Sequence, residues 1–307
     1  MARAERMVTF LLAIALFAGG CEPERKYSTT EGTVVLECDE SVEPVVRQLA
    51  EDFQRSYEKA TIVLHNVQAR EAVANFALDS VRRIIMAREL NQEERDALKG
   101  AKMELTEYRI ALDAVAVIGH KQNPLHEIRM GMLDSIFSGT VTRWPGKRGG
   151  GIEVAVGDVN SSMNEVFRTF VLKGRPIAAQ ARMFKTSREM LEFVRTVPNA
   201  IGIVGLAWLR GFDQDLRVFA LGTPGFRPDS TQPPGLFYPP VQAYVYRRYY
   251  PITRPVFIYS REVIRDVGYG FISYATSATG QKMFLENGLV PVTMPVRLVE
   301  LTSKEIR

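Results

Sequence analysis

One local pattern recurs along this chain and constrains its fold: an apolar strand, a short polar loop and an amphipathic helix. Residues 152–156 alternate in the manner of a strand, residues 157–162 are polar, and residues 163–172 carry an apolar stripe at helical spacing. The same order recurs around Asp39 and around Arg70. Strands that alternate with helices predict an α/β fold with mostly parallel sheets, in which ligands bind beyond the carboxyl ends of the strands.

The start of the helix in the 152–172 unit is a candidate anion site. Asn160, Ser161 and Ser162 each have a short polar side chain that can act as its N-cap. The first turn of a helix has free N–H groups and a partial positive charge, and it therefore favours an anion. The alternative interpretation is that this loop only caps the helix.

The N-terminus has the features of an export signal. Arg3 and Arg6 precede an apolar run at 7–17, which is short for a membrane span, and small residues then lead to Cys21. This order resembles a bacterial lipoprotein signal, with residues 1–21 as signal and lipobox and Cys21 as the lipidated residue. Alternatives are an ordinary signal peptide cut nearby or a short buried helix. The resemblance predicts an envelope protein that faces the periplasm or the exterior.

Residues 22–31 are polar and are predicted to be a tether, and Cys38 is predicted to be a small buried core residue. The chain has 39 basic against 35 acidic residues and no dense basic block, which argues against nucleic-acid binding. It contains no G-x-S-x-G, P-loop or zinc-protease motif. We therefore predict a monomeric binding protein that is not an enzyme and that uses no metal and no cofactor.

Several short segments together resemble the periplasmic phosphate-binding proteins of ABC transporters. Residues 133–144 (LDSIFSGTVTRW) resemble that family's I-F-x-G-x-I-x-x-W phrase, and residues 250–255 (YPITRP) resemble its Y-P-I/L-x-R-P segment. Residues 200–206 resemble its x-I-G-Y-x strand, and residues 271–291 resemble its C-terminal S-x-x-G-Q and G-x-V-P phrases. These segments follow the family order over most of the chain.

The resemblance implies a two-lobed periplasmic-binding-protein fold of type II with two crossover strands, near 114–119 and 239–246. It places lobe 1 at 32–116 and 241–307 and lobe 2 at 117–240. It further implies capture of inorganic phosphate in the cleft between the lobes and delivery to an ABC permease. Two alternatives stay open: the same fold with another oxyanion or a small carboxylate, and an envelope scaffold or sensor that has lost ligand binding.

The predicted ligand set differs from the family pattern. The family's Gly-Ser-Gly-Thr loop is Asn160-Ser161-Ser162-Met163 here, and its acidic position corresponds to Ala87-Arg88. A phosphate site needs many donors and one acceptor for the remaining proton, and an ionised acceptor repels sulfate. The predicted acceptor is Asp39 or, second, Asp158, and Arg88, with Arg70 in reserve, is predicted to make a bidentate contact. The remaining predicted binding residues are Glu40, Ser41, Asn160, Ser161 and Ser162. The competing interpretation is that Asp39 and Ser41 only cap a helix, that Asp158 shapes a turn, and that Arg88 pairs with a surface carboxylate.

Overall fold

The longest strand in the described part of the chain, β4 (Thr106–His120), passes through both halves of the molecule. Its first part pairs with β12 (Thr253–Ser260) up to Ala114, and its second part pairs with β8 (Ala200–Gly205) from Val115 onward. Residues 110–119, which form the middle of β4, are all buried. The apolar run at 108–119 predicts a long strand that can cross between two lobes, and β4 confirms it as one crossover.

The computed structural model describes residues 27–146, 150–212, 214–227, 233–261 and 264–293. Cys21 and residues 22–26 of the predicted tether lie outside the described residues. The other strands are β1 (Gly32–Asp39), β2 (Ala60–Val67), β3 (Arg83–Met86), β5 (Glu127–Arg129), β6 (Glu153–Val156), β7 (Arg182–Met183), β9 (Leu216–Val218), β10 (Ala220–Gly222), β11 (Phe237–Tyr238) and β13 (Val290–Pro291). The main sheet has the order β2-β1-β3-β12-β4-β8-β6-β7, with β9 and β13 added along β4.

Pairing direction separates the outer strands of each lobe from the crossover strands. In lobe 1, β1 runs parallel to β2 and β3, and in lobe 2, β6 runs parallel to β7 and β8. The pairs that β4 and β12 make with their neighbours are antiparallel. The predicted two-lobed α/β fold is therefore confirmed. Its sheet is mixed, with parallel pairing in the outer strands of each lobe.

The described helices are α1 (Glu43–Ser56), α2 (Ala69–Ala77), α3 (Gln92–Gly100), α4 (Met130–Phe137), α5 (Ser162–Phe170), α6 (Ser187–Thr196), α7 (Leu206–Leu209), α8 (Gln242–Tyr246), α9 (Val267–Thr276) and α10 (Ala278–Glu286). Five of these described helices, α3, α5, α6, α9 and α10, begin at a residue whose side chain caps them. The sequence predicts a capping box from Asn91 and Glu94 and a cap at Ser277, and the structure has both, at α3 and α10. Of the three candidate caps of α5, Ser161 accepts from the N–H of Asn164.

The second crossover differs from its prediction. The sequence pattern predicts a strand at 241–246, but the structure has α8 there. The Gln242 side chain donates to the carbonyls of Leu285 and Leu289, a tertiary contact that a short apolar pattern cannot reveal. The chain instead returns beside β4 near Tyr250, whose hydroxyl donates to the Val115 carbonyl. The lobe boundaries at 116/117 and 240/241 stay predictions.

The apolar faces of these elements form two buried clusters. The larger cluster extends through both lobes along β4, and Cys38 lies within it, fully buried with a free thiol as predicted. The smaller cluster lies under α2 and α3 and includes Phe76 and Leu98. Among the described residues, no helix combines the length and apolarity needed to cross a bilayer.

Candidate functional site

Two strand–loop–helix units from opposite lobes meet in the cleft. In lobe 1, β1 ends at Asp39 and a 3-10 turn over Glu40–Val42 leads into α1. In lobe 2, β6 ends at Val156 and the polar loop leads into α5. The side chains of Asp39, Ser41 and Ser162 are buried where the two units touch. The structure thus brings together three of the predicted binding residues.

These side chains form a continuous hydrogen-bond chain. The Ser162 hydroxyl donates to Asp39 Oδ2, and Ser41 Oγ lies 3.0 Å from Ser162 Oγ. Because a serine hydroxyl has a single proton, Ser41 must be the donor in the contact between the two serines. Asp39 also accepts from two backbone N–H groups, those of Ser41 at 3.1 Å and Ala87 at 3.3 Å. The Asp39 carboxylate is therefore the final acceptor of this hydrogen-bond chain.

The cation of the site is Arg254, a residue that the sequence-based prediction missed. Its Nη1 atom donates to Ser41 Oγ at 3.0 Å and to Ser162 Oγ at 2.9 Å, and so it contacts both lobes. Its Nε and Nη2 atoms donate to Asp113 Oδ2 on β4 at 2.9 and 2.7 Å. Both partners of this ion pair have fully buried side chains.

The sequence did contain a signal for this pair. Arg254 and Val256 are both buried, so that Arg254 takes a core-facing position of an alternating strand. Asp113 likewise interrupts the apolar run of β4. A charged residue at a core position is rarely tolerated unless it is paired, and two of them in separate strands suggest each other as partners.

Glu40 contacts lobe 2 beside this cluster. Its carboxylate accepts from the backbone N–H and the hydroxyl of Ser187 at the start of α6, both at 2.8 Å, and its backbone carbonyl accepts from Trp208. Burial raises the pKa of Glu40 from 4.5 to about 7, the Ser187 hydrogen bonds oppose this rise, and the nearby Asp39 and Glu43 add to it. Glu40 thus bridges the lobes with a carboxyl group that titrates near neutral pH.

Because the pKa of Glu40 is raised in the folded protein, stability should fall as the pH rises from 4.5 to about 7. In that window the unfolded chain has lost the Glu40 proton and the folded chain has kept it. Glu40→Gln, which keeps an acceptor for Ser187, should remove this part of the pH dependence. Urea unfolding of both proteins at about pH 5 and about pH 8 measures it. An equal change of stability with pH in both proteins would contradict the assignment to Glu40.

The predicted arginines lie in a neighbouring charge cluster. Arg88 makes a bidentate pair with Glu94 at 2.6 and 2.7 Å, and its Nε lies 3.2 Å from Glu165 Oε2 of lobe 2. Burial lowers the pKa of Arg88, but Glu94, Glu165 and Asp39 together raise it above its ordinary value. Arg70 is half-exposed, with its Nε 3.7 Å from Glu165. Both terminal nitrogens of Arg88 are already occupied by Glu94, and the cation in contact with the serines is Arg254.

The remaining predicted residues shape the loop before α5. Asp158 Oδ1 accepts from the backbone N–H of Asn160 at 2.8 Å, which is a turn contact, and the Asn160 carbonyl accepts from the backbone N–H of Arg70 in lobe 1. The Ser161 hydroxyl is the cap of α5. The polar turn and the capping role that the competing interpretation assigned to these positions are therefore both present.

The cleft is narrow at this point. Beside the cluster lies a cavity of about 10 Å³ whose lining includes Glu40, Ser41, Ser161 and Ser187. A volume of this size holds about one water molecule. A tetrahedral oxyanion therefore requires the lobes to move apart. Chemically, the site combines hydroxyl donors from both lobes, the Arg254 guanidinium and the carboxylates of Asp39 and Asp113.

Two α/β lobes joined by crossover strands, with a polar cluster buried in the cleft between them, define the class of hinged two-lobed binding proteins. A family model described as a PBP superfamily domain matches residues 24–279. The chain therefore belongs to the PBP superfamily.

Individual relatives confirm the resemblance to periplasmic phosphate-binding proteins. Protein SphX of Synechococcus elongatus is 21% identical over 312 aligned positions, which cover 98% of this chain and 89% of SphX. Phosphate-binding protein PstS 2 of Streptococcus agalactiae is 28% identical over 116 positions, 38% of this chain and 37% of that protein.

Solved structures share the fold. A Clostridium perfringens protein with bound phosphate superposes with a TM-score of 0.72 at 22% identity, covering 85% of this chain and 100% of that chain. An ABC-type phosphate transport receptor from Vibrio cholerae gives a TM-score of 0.64 at 17% identity, covering 85% and 100% of the two chains.

Proposed function

We propose that the protein is an extracytoplasmic solute-binding lipoprotein that captures inorganic phosphate between its lobes and delivers it to an ABC permease. The observation that carries the proposal is the convergence of Ser41 and Ser162, from helix starts in opposite lobes, on the Arg254 guanidinium. Relatives named for phosphate binding support the choice of anion. The lipid anchor at Cys21, the permease partner and the lack of catalysis are parts of the same proposal.

Binding requires a hinge motion. When the lobes separate, Ser162 and the N-terminus of α5 move away from Ser41, and hydroxyl donors then face the cleft from both sides. An oxyanion that enters can accept from Ser41, Ser162 and Arg254, and it also gains from the partial positive charge at the start of α5. In the sequence-based prediction, Asp39 accepts the proton of HPO₄²⁻.

Calorimetry of the purified protein with inorganic phosphate tests the proposal. Binding should release or absorb heat and should stabilise the fold by about 2.7 kcal/mol at a hundredfold excess over Kd. Ser162→Ala removes one donor to the anion and should weaken binding about tenfold. Ser135→Ala is the matched control, because the Ser135 hydroxyl donates to the Gly131 carbonyl within α4, away from the cleft cluster. No heat and no thermal shift at millimolar phosphate would refute phosphate capture.

A second function is favoured by one specific observation. The hydroxyl protons of Ser41 and Ser162 are already donated within the hydrogen-bond chain that ends on Asp39. The adjacent cavity is about 10 Å³. A protein whose cleft is held in this way could serve as an envelope scaffold or sensor that contacts a partner and binds no phosphate. The other alternative, a different oxyanion or a small carboxylate, is separated by a thermal-shift panel of anions, in which the largest shift identifies the ligand.

A further inference from the structure

The Asp39 carboxylate lies where donors from several elements converge. It accepts from Ser162 of lobe 2, from the N–H that follows β3 at Ala87, and from the N–H of Ser41. Three donors that converge on one buried acceptor make an arrangement that also suits a bound oxyanion. Here the acceptor is the Asp39 side chain of the protein, in the position that a bound oxyanion would take.

The hydroxyl protons of Ser41 and Ser162, at the centre of the cleft, are also already donated to acceptors of the protein. The order of donation runs from Arg254 to Ser41, from Ser41 to Ser162, and from Ser162 to Asp39. An external anion can accept from either serine only if one of these bonds breaks. Hydrogen bonds in such a buried chain strengthen one another, so that breaking one of them weakens the rest.

The charge count at the site also opposes an added anion. Arg254 is the guanidinium in contact with both serines, and it is matched by two buried carboxylates, Asp113 and Asp39. The neighbouring Arg88 and Arg70 are balanced by Glu94 and Glu165 and offer no spare positive charge. Charges this close interact strongly away from bulk water, and phosphate would therefore enter a region that already has an excess of negative charge.

We propose that Asp39 is an internal ligand: its carboxylate holds the two lobes together in place of an external anion and competes with that anion for the same donors. The proposal rests on the proposed function, because it identifies what opposes phosphate at that same site. Glu40, the next residue, assists by holding the start of α6 in lobe 2. An acidic pair in one loop thus takes donors from two separate elements of the opposite lobe.

The competing role for Asp39 is that of an acceptor for the phosphate proton, and the two roles predict opposite results. If Asp39 is an internal ligand, Asp39→Ala and Asp39→Asn should bind phosphate at least about tenfold more tightly than the unchanged protein. If Asp39 is the proton acceptor, both variants should bind phosphate more weakly. Asp134→Ala, which removes a half-exposed lobe 2 carboxylate paired with Arg175, is the control and should bind like the unchanged protein.

The decisive experiment combines phosphate calorimetry with small-angle scattering on the same samples. The unchanged protein should have the same radius of gyration with and without phosphate, whereas Asp39→Ala should be wider without phosphate and should contract when it is added. Asp39→Asn keeps the shape of the side chain. If Asp39→Ala does not fold, the phosphate affinity and the radius of gyration of Asp39→Asn test the proposal instead.

The outcomes separate this inference from the proposed function. Tighter phosphate binding by the variants supports both. If no protein binds phosphate but Asp39→Ala is wider than the unchanged protein, phosphate capture fails and the internal ligand stands. If both variants bind phosphate more weakly and keep the radius of the unchanged protein, the internal ligand is refuted and phosphate capture stands.

Discussion

Arg254→Gln is expected to lower the free energy of unfolding by about 3–5 kcal/mol, because it leaves the Asp113 carboxylate buried without its cation. Asp113 accepts two bonds from Arg254, and both side chains are 0% exposed. The glutamine is shorter than arginine and has two N–H donors in place of five, so that it cannot replace all the contacts to Asp113, Ser41 and Ser162, and the contact across the cleft is weakened. We therefore expect the variant to lose stability and also to hold its two lobes together less firmly.

Urea unfolding followed by circular dichroism measures this effect. Arg195→Gln is the matched control, since Arg195 pairs with Glu192 on the surface of α6 and its replacement should leave stability nearly unchanged. The double variant Arg254→Met with Asp113→Leu should recover part of the loss, because an apolar pair leaves no buried charge. A loss below about 1 kcal/mol in Arg254→Gln would show that the ion pair is not buried as described.

Phe167→Ala is the second change with a large expected effect, a loss of about 3–5 kcal/mol in the free energy of unfolding. Phe167 is fully buried under α5, and its ring lies 4.5 Å from that of Phe137 of α4, measured between centroids. Removing the ring leaves a cavity beneath the helix whose first residue is Ser162. We therefore expect phosphate binding to weaken together with stability, since α5 loses the packing that fixes its N-terminus.

Phe170→Ala provides the control on the same helix. Its side chain is 51% exposed, and its removal should therefore cost about 0.5 kcal/mol or less. Differential scanning calorimetry of the two variants gives the comparison, with phosphate calorimetry as the second readout. Equal losses in Phe167→Ala and Phe170→Ala would mean that α5 does not pack on lobe 2 through the face that carries Phe167.

The local elements of this protein could be predicted from the sequence because their signals are local. The apolar run of β4, the capping box at α3 and the stripe of α5 each lie within one window of the chain. The structure has the first two, and it buries Val166, Phe167 and Val171 of the stripe but leaves the fourth predicted member, Phe170, exposed. The strand predicted at 241–246 is wrong, since the α8 that stands there has its first residue, Gln242, bonded to carbonyls of a distant segment. Short segments of this kind are decided by tertiary contacts.

The candidate site could be predicted in part. Asp39, Ser41 and Ser162 stand at strand ends or helix starts, the positions at which α/β sheets bind ligands. That the two loops meet across the cleft depends on how the lobes face each other, which the sequence does not show. Arg254 carried only a weak signal, a charge at a core-facing position of a strand. Arg88 could not be distinguished from a ligand-binding residue, because its pairing with Glu94 and Glu165 depends on how α3 and α5 approach each other.

By itself, the sequence determined the alternation of strands and helices, the capped helix starts and the polar loops that carry Asp39, Ser41 and Ser162. Only the tertiary structure decided that Ser162 donates to Asp39 across 123 residues, and that Arg254 reaches Ser41 across 213. The physical reason is that periodicity and capping act within a few turns of chain. The choice of partners in the cleft depends instead on the strand order and on how the two lobes dock.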